Sequence, residues 1–197
     1  IGTEQVILSV GHSARDLFEK LDRMKVFMEP KPFAVGLRIQ HPQAQINRNQ
    51  YGLEDAGKLG AAPYKVTAKT TSGRGVYSFC MCPGGVVVAA QSEPDTVVTN
   101  GMSYHARGGR NANAALAVSV EPADFADGTP FGGVALQRRI ERAAFAQTGS
   151  YRAPCQRVGD FLAGKPSKAA GAVRPSYPVG VEYGAAVASL PAFAQDM

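Results

Sequence analysis

The chain has 197 residues, of which 45% are hydrophobic and 19% charged, with 22 Gly, 13 Pro and no Trp. That length allows one substantial core or two small ones, and so much Gly and Pro argues for many turns rather than a helical bundle. The net charge of +5 suits an anionic partner, but the basic residues are dispersed; three cysteines, an odd number, exclude a disulfide framework.

No stretch approaches 18 apolar residues and no charged-then-apolar leader is visible, which reads as a cytoplasmic chain with neither membrane span nor signal peptide. Position 1 is Ile, and a strand is expected almost at once, so the sequence reads as a piece of a longer polypeptide.

Gln5 to Val10, QVILSV, is a short apolar run expected to form a strand buried on both faces. Gly11 breaks it, Ser13 is placed to cap a helix, and Leu17, Phe18, Leu21 and Met24 recur at helical spacing. FAVGLRI alternates, with Phe33, Val35, Leu37 and Ile39 on one side. HPQAQINRNQYG is polar and reads as a loop, with His41 solvated. Tyr64, Val66 and Ala68 open another strand, TTSGRG turns the chain, VYSFCMC returns it, and PGG turns it again into VVVAA. Those three strands predict an antiparallel meander. TVVTNG and ALAVSV are further strands, joined by a polar loop from Met102 to Ala112.

After Thr129-Pro130 a helix is expected, with Leu136, Ile140, Ala143 and Ala144 opposite Arg138, Arg139 and Arg142, and Gly149 ending it. A short helix and a Gly/Pro-rich connection follow. The expected class is α+β: a mostly antiparallel sheet or open barrel with flanking helices.

Three stretches carry chemistry. Cys80 and Cys82 on an extended strand would share a face about 6.5–7 Å apart along the chain. A disulfide needs β-carbons near about 4 Å, so a bond would require the strand to buckle. No ligand spacing for zinc is present, and no metal site is expected. The pair is open to three readings: small apolar fillers, site-lining residues, or a redox couple. Gly11, His12 and Ser13 precede a helix N-terminus, whose free N–H groups suit a phosphate or a flavin edge; a plain capped helix is the alternative. No Gly-x-Gly-x-x-Gly follows any strand. Asn100, Ser103, His105, Arg107, Arg110, Asn111 and Asn113 crowd one Gly-bearing loop, either a binding surface or a solvated connector, and His105 there could act as acid, base or donor.

VILSVGHSARDLFEKL, KPFAVGLRIQHPQ, YSFCMCPGGVVVAAQSE, VVTNGMSYHARGGRNANAAL and FGGVALQRRIERAAF occur in this order. Together, from Val6 to about Tyr177, they resemble the C-terminal half of the uncharacterised FAD-dependent dehydrogenases. These are two-dinucleotide-fold flavoproteins similar to the aminoacetone-oxidase-like group. The resemblance implies a remnant of an FAD-binding domain over 1–30, a β-rich substrate-side domain over 31–125, and a helical segment with an irregular tail over 126–197. It implies FAD in the full-length protein, held mainly by N- and C-terminal segments outside this piece, with no cofactor held by the piece alone. It further implies Cys80, Cys82 and His105 facing the reaction, Gly11, His12, Ser13, Gly84 and Gly85 approaching the cofactor, and Ser103, Arg107 and Asn111 meeting a small-molecule substrate. The loop HARGGRNAN departs from the family pattern, which has an acidic residue after the arginine. The competing expectation is a non-catalytic module for an anionic partner such as RNA, whose binding would weaken steeply with salt.

Overall fold

The computed structural model describes residues 2, 4–195 and 197. In chain order it contains α1 (Arg15–Arg23), β1 (Phe33–Pro42), α2 (Gln43–Tyr51), β2 (Thr67–Lys69), β3 (Gly75–Cys82), β4 (Val86–Ala89), β5 (Thr99–Met102) and β6 (Asn111–Val120). There follow α3 (Gly132–Thr148), β7 (Ala153–Cys155), α4 (Val158–Leu162) and β8 (Val181–Tyr183). The class is α+β: the main sheet and the β4–β5 pair are antiparallel, β7–β8 is a parallel pair, and there is no closed barrel among the described residues. No helix among them is long and apolar enough to cross a membrane.

The main sheet has the order β1-β6-β3-β2. β1 and β6 pair over ten positions, from Phe33 opposite Val120 to Pro42 opposite Asn111. Direct antiparallel partners share a face, so Phe33, Val35 and Leu37 stand with Val120, Val118 and Leu116. α3 covers this side with Leu136 and Ile140, and the turns around Leu190 and Ala194 close over Val76 and Val118. Val118, Val120 and Leu136 are essentially inaccessible to water. The opposite side carries Gly36, Arg38, Ala115, Ala117, Tyr77 and Phe79.

Several sequence expectations are corrected. The meander does not form: β3 pairs with β2 and with β6, while β4 leaves the sheet and pairs with β5. The two glycines after Pro83 turn the chain out of the sheet plane instead of back along it. Residues 43–51 are helical, not a loop: Ile46 packs against Ala62 and Ala112, and buried side-chain amides supply the rest of the attachment. Gln43 donates to Asn47 Oδ1 (2.8 Å) and to the Ala62 carbonyl (3.1 Å), and Asn47 donates to the Glu54 carbonyl (2.7 Å). Gly52, at φ +74°, ends that helix. Residues 5–10 form no strand, and Val6, Ile7, Leu8 and Val10 are exposed. An isolated strand leaves its backbone groups without ladder partners, and apolar side chains alone do not hold it. Ser13 makes no capping bond; Ala14 stands at the helix start. Ser13 instead accepts the Arg15 N–H through its carbonyl.

His41 is not solvated either. It lies in β1 against Tyr64, with Nε2 2.9 Å from the phenolic oxygen and the rings edge to face at 5.5 Å. Burial holds its pKa below the ordinary 6.5. The unfolded chain therefore takes up the proton first, so the stability contribution is complete above about pH 6.5 and declines as pH falls toward the depressed value. Urea midpoints should fall between about pH 7 and pH 5, ahead of any carboxylate titration, and His41→Gln should remove that slope. A profile equally steep in the variant would refute the assignment.

Candidate functional site

A cavity of about 590 Å³ lies between the covered face of the sheet, α3, the β4–β5 unit and the β7–α4 segment. Its walls are mostly apolar, among them Leu37, Ile39, Val87, Ile140 and Phe161. Neutral polar groups interrupt them at Gln40, Thr99, Gln137 and Gln156, and the Cys155 thiol is pushed up in pKa by burial. This size and lining are those of a small-molecule or cofactor pocket. His12 and Ser13 stand at its rim, but Gly11 does not; it is exposed, at φ +74°, with open space around it.

What holds that rim is a charge network. α1 buries no apolar residue; its buried member is Arg15, 8% exposed. The guanidinium meets Glu93 at 3.1 Å and Glu141 at 3.0 Å, and donates to Gln137 at 3.2 Å. Arg138 grips Glu93 from the other side at 2.8 Å and reaches Glu19. The hydrogen bonds from Arg138, with the charge of Arg15, hold the Glu93 carboxyl below its usual pKa despite desolvation. The network ties α1 to the Glu93 segment and to α3, which already meet each other through Val97, Ala144 and Phe145. Breaking such a pair leaves uncompensated buried charge.

Cys80, Cys82, Gly84, Gly85, Ser103, His105 and Arg107 lie elsewhere, and the fold brings their two stretches together. Gly84 N–H donates to Gln43 (2.7 Å), Gly109 N–H donates to the Gly84 carbonyl (3.0 Å), and Ser103 Oγ donates to the Pro83 carbonyl (2.7 Å). The approach is so close that a β-carbon on Gly84 would stand 1.7 Å from the Arg107 carbonyl oxygen, and one on Gly85 2.4 Å from that of Met102. His105 and Arg107 are exposed. Asn111 is buried, and its amide is engaged by the Arg174 carbonyl at 2.8 Å.

The cysteines do not share a face. A bulge shifts the β3 register between Phe79 and Cys82, and Cys80 takes φ +44°. Cys80 is exposed while Cys82 is buried, its thiol donating to the Cys80 carbonyl at 3.2 Å. Both are free thiols. Among the described residues no three His, Cys, Asp or Glu side chains group as a metal site.

Sequence reasoning missed Arg15, Arg38 and Gln40. Arg15 lies in a helix read only for its apolar spacing, and Arg38 and Gln40 lie on the side of β1 opposite the alternating apolar residues. Gln40 instead accepts from Ser176 Oγ (2.7 Å) and N–H (3.1 Å), and Arg38 bonds Asn113 Oδ1 at 2.5 Å.

Residues 32–197 match the family model described as FAD-dependent protein, C-terminal domain-like. The chain belongs to that family. It is also 52% identical over 186 residues to an "Uncharacterized protein" of Clostridium beijerinckii, an alignment covering 93% of this chain and 35% of that relative. The chain thus spans about a third of the length of the curated relative it matches.

Arg15→Ala should lower stability by about 3 kcal/mol and speed proteolysis within residues 2–25, read by denaturant unfolding and timed digestion. An unchanged midpoint would mean that the network is idle. Gly84→Ala should cost about 2 kcal/mol or more, since both the positive φ (+52°) and the contact with Arg107 oppose a side chain. A melting temperature equal to wild type would show that the two stretches are not rigidly joined.

Proposed function

We propose that this chain is the substrate-side part of an FAD-dependent oxidoreductase, shaping the flavin-facing pocket while other segments of the full-length protein hold the dinucleotide. The observation that carries the reading is the family match over 32–197, taken with a cavity of about 590 Å³ whose rim is the turn before α1. The motifs GHSARD, FCMCPGG and NGMSYHAR support a position near the aminoacetone-oxidase-like group.

The cavity walls fit the ring portion of the cofactor: flat apolar surfaces with neutral hydrogen-bonding groups at Gln40, Thr99, Gln137 and Gln156. The described residues hold no Gly-rich phosphate loop, so the pyrophosphate belongs to the remaining segments. FAD, when bound, supplies two-electron chemistry. This chain's residues exclude water from the cavity, and Arg15 fixes His12 and Ser13 at its edge. Cys80, His105 and Arg107, exposed on the joined turn and loop, are side chains of that assembly open to a substrate or to the FAD-binding segments; Cys82 supports Cys80 from beneath.

The natural full-length protein should purify yellow, with the absorption of oxidised flavin. His105→Ala and Cys80→Ser should slow flavin reduction while leaving the circular dichroism unchanged. A folded, colourless full-length protein that takes up no added FAD would end this reading.

A further inference from the structure

Four arginines of the described residues are buried or half-buried: Arg15, Arg38, Arg74 and Arg138. Three have carboxylate partners: Arg15 has Glu93 and Glu141, Arg74 has Asp124, and Arg138 has Glu93. Arg38 pairs with no carboxylate among the described residues. Its guanidinium is oriented by neutral oxygens alone: Asn113 Oδ1 at 2.5 Å, Asn100 Oδ1 at 3.3 Å and the Cys80 carbonyl at 3.4 Å. Asn113 is wholly buried, and its amide nitrogen has no acceptor. A cation taken partly out of water beside an unanswered donor is costly unless an acceptor arrives.

The surroundings define that acceptor. On the sheet face away from α3, Arg38 lies in a row with Ala115 and Phe79, and the next row is Gly36, Ala117 and Tyr77. These rows line a second concavity of about 570 Å³. Between Arg38 and the rings of Tyr77 and Phe79 the small residues Gly36, Ala115 and Ala117 leave room, and Phe79, 61% exposed, stands at the edge. The acid in its lining, Glu121, lies six residues along β6 from Ala115, about 20 Å away. One planar, uncompensated cation matches one planar anion, because the guanidinium fork meets a carboxylate in two parallel hydrogen bonds. A doubly charged phosphate would find no second cation in the lining.

We propose that this open face is a binding site for a flat, apolar monocarboxylate, with Arg38 receiving the carboxylate and Gly36, Ala115, Ala117 and Phe79 receiving the body. The test reads affinity rather than flavin content, so it stands apart from the FAD reading. The natural full-length protein is titrated calorimetrically with benzoate, its neutral isostere benzamide and inorganic phosphate. Benzoate should bind, and benzamide and phosphate should not compete with it. Arg38→Gln should weaken benzoate about ten- to hundredfold, the loss of a charge-assisted pair. Arg38→Lys, which keeps the charge but not the fork, should recover only part of it. Should Arg38→Gln fail to fold, the exposed Phe79→Ala decides, since it removes a wall without touching the core. No benzoate binding, equal binding of benzamide, preference for phosphate, or benzoate affinity unchanged in the folded variants would overturn the proposal.

Discussion

The ten-position antiparallel pairing of β1 with β6 is the constraint on which the rest depends. Side chains alternate with period two, so this register alone decides that Val35 and Val118 enter the core while Arg38 and Ala115 face the other way. A slip of one residue would put the guanidinium under α3 and the valines in the open. Because Val118 and Val120 are fully buried, the slipped state loses the transfer free energy of both, together with the packing of Leu136. The hydrophobic side thus holds the polar side in place, and β1 contributes Phe33 to Arg38 to the lining of both concavities.

Elements outside the sheet are attached by different physics. α3 docks through apolar packing, which tolerates small shifts. α1 docks through Arg15 and the carboxylates of Glu93 and Glu141, which are directional. The cavity rim at His12 and Ser13 inherits that directionality. Residues before 32 lie outside the matched family segment, and the apolar side chains of Val6, Ile7, Leu8 and Val10 contribute nothing to the core. In α1 itself Leu17, Phe18 and Leu21 are half-buried, so the ion pairs of Arg15 are the buried part of its attachment.

Much of the fold was legible where a single signal was sufficient. Alternation from Phe33 to Ile39 located β1, and the spacing of Leu136 and Ile140 with Gly149 beyond located α3, whose end at Gly149 is left-handed at φ +60°. Legibility failed where the stabilising partner is remote. α2 depends on Asn47 reaching Glu54 and Ala62, and β4 depends on β5, which no local pattern discloses. The segment 5–10 failed for the opposite reason: its pattern is that of a strand, but a ladder needs a partner. At the site, the density of polar residues in FCMCPGG and NGMSYHARGG announced two unusual stretches, and the fold joins them. Arg38 was not legible, because an arginine on the polar side of a strand is normally solvated; only the lack of an acid near it in three dimensions sets it apart.

Backbone strain ties these observations together. Of the described non-glycine residues at positive φ, Cys80 and Arg107 belong to the two joined stretches. Each costs about 1–3 kcal/mol and persists only where the surroundings over-determine it. Here they do: Gln43 holds Gly84, Gly84 holds Gly109, Ser103 holds Pro83, and the Arg107 carbonyl occupies the space that a side chain on Gly84 would need. The result of holding Cys80 in that conformation is specific. Its carbonyl accepts both the Cys82 thiol and the Arg38 guanidinium, so the bulge that separates the two cysteines also helps to aim the unpaired cation. Relaxing Cys80 into regular strand geometry would remove one of the three oxygens that orient Arg38. The strain is therefore best understood as the means by which the turn–loop assembly and the open sheet face act as one surface.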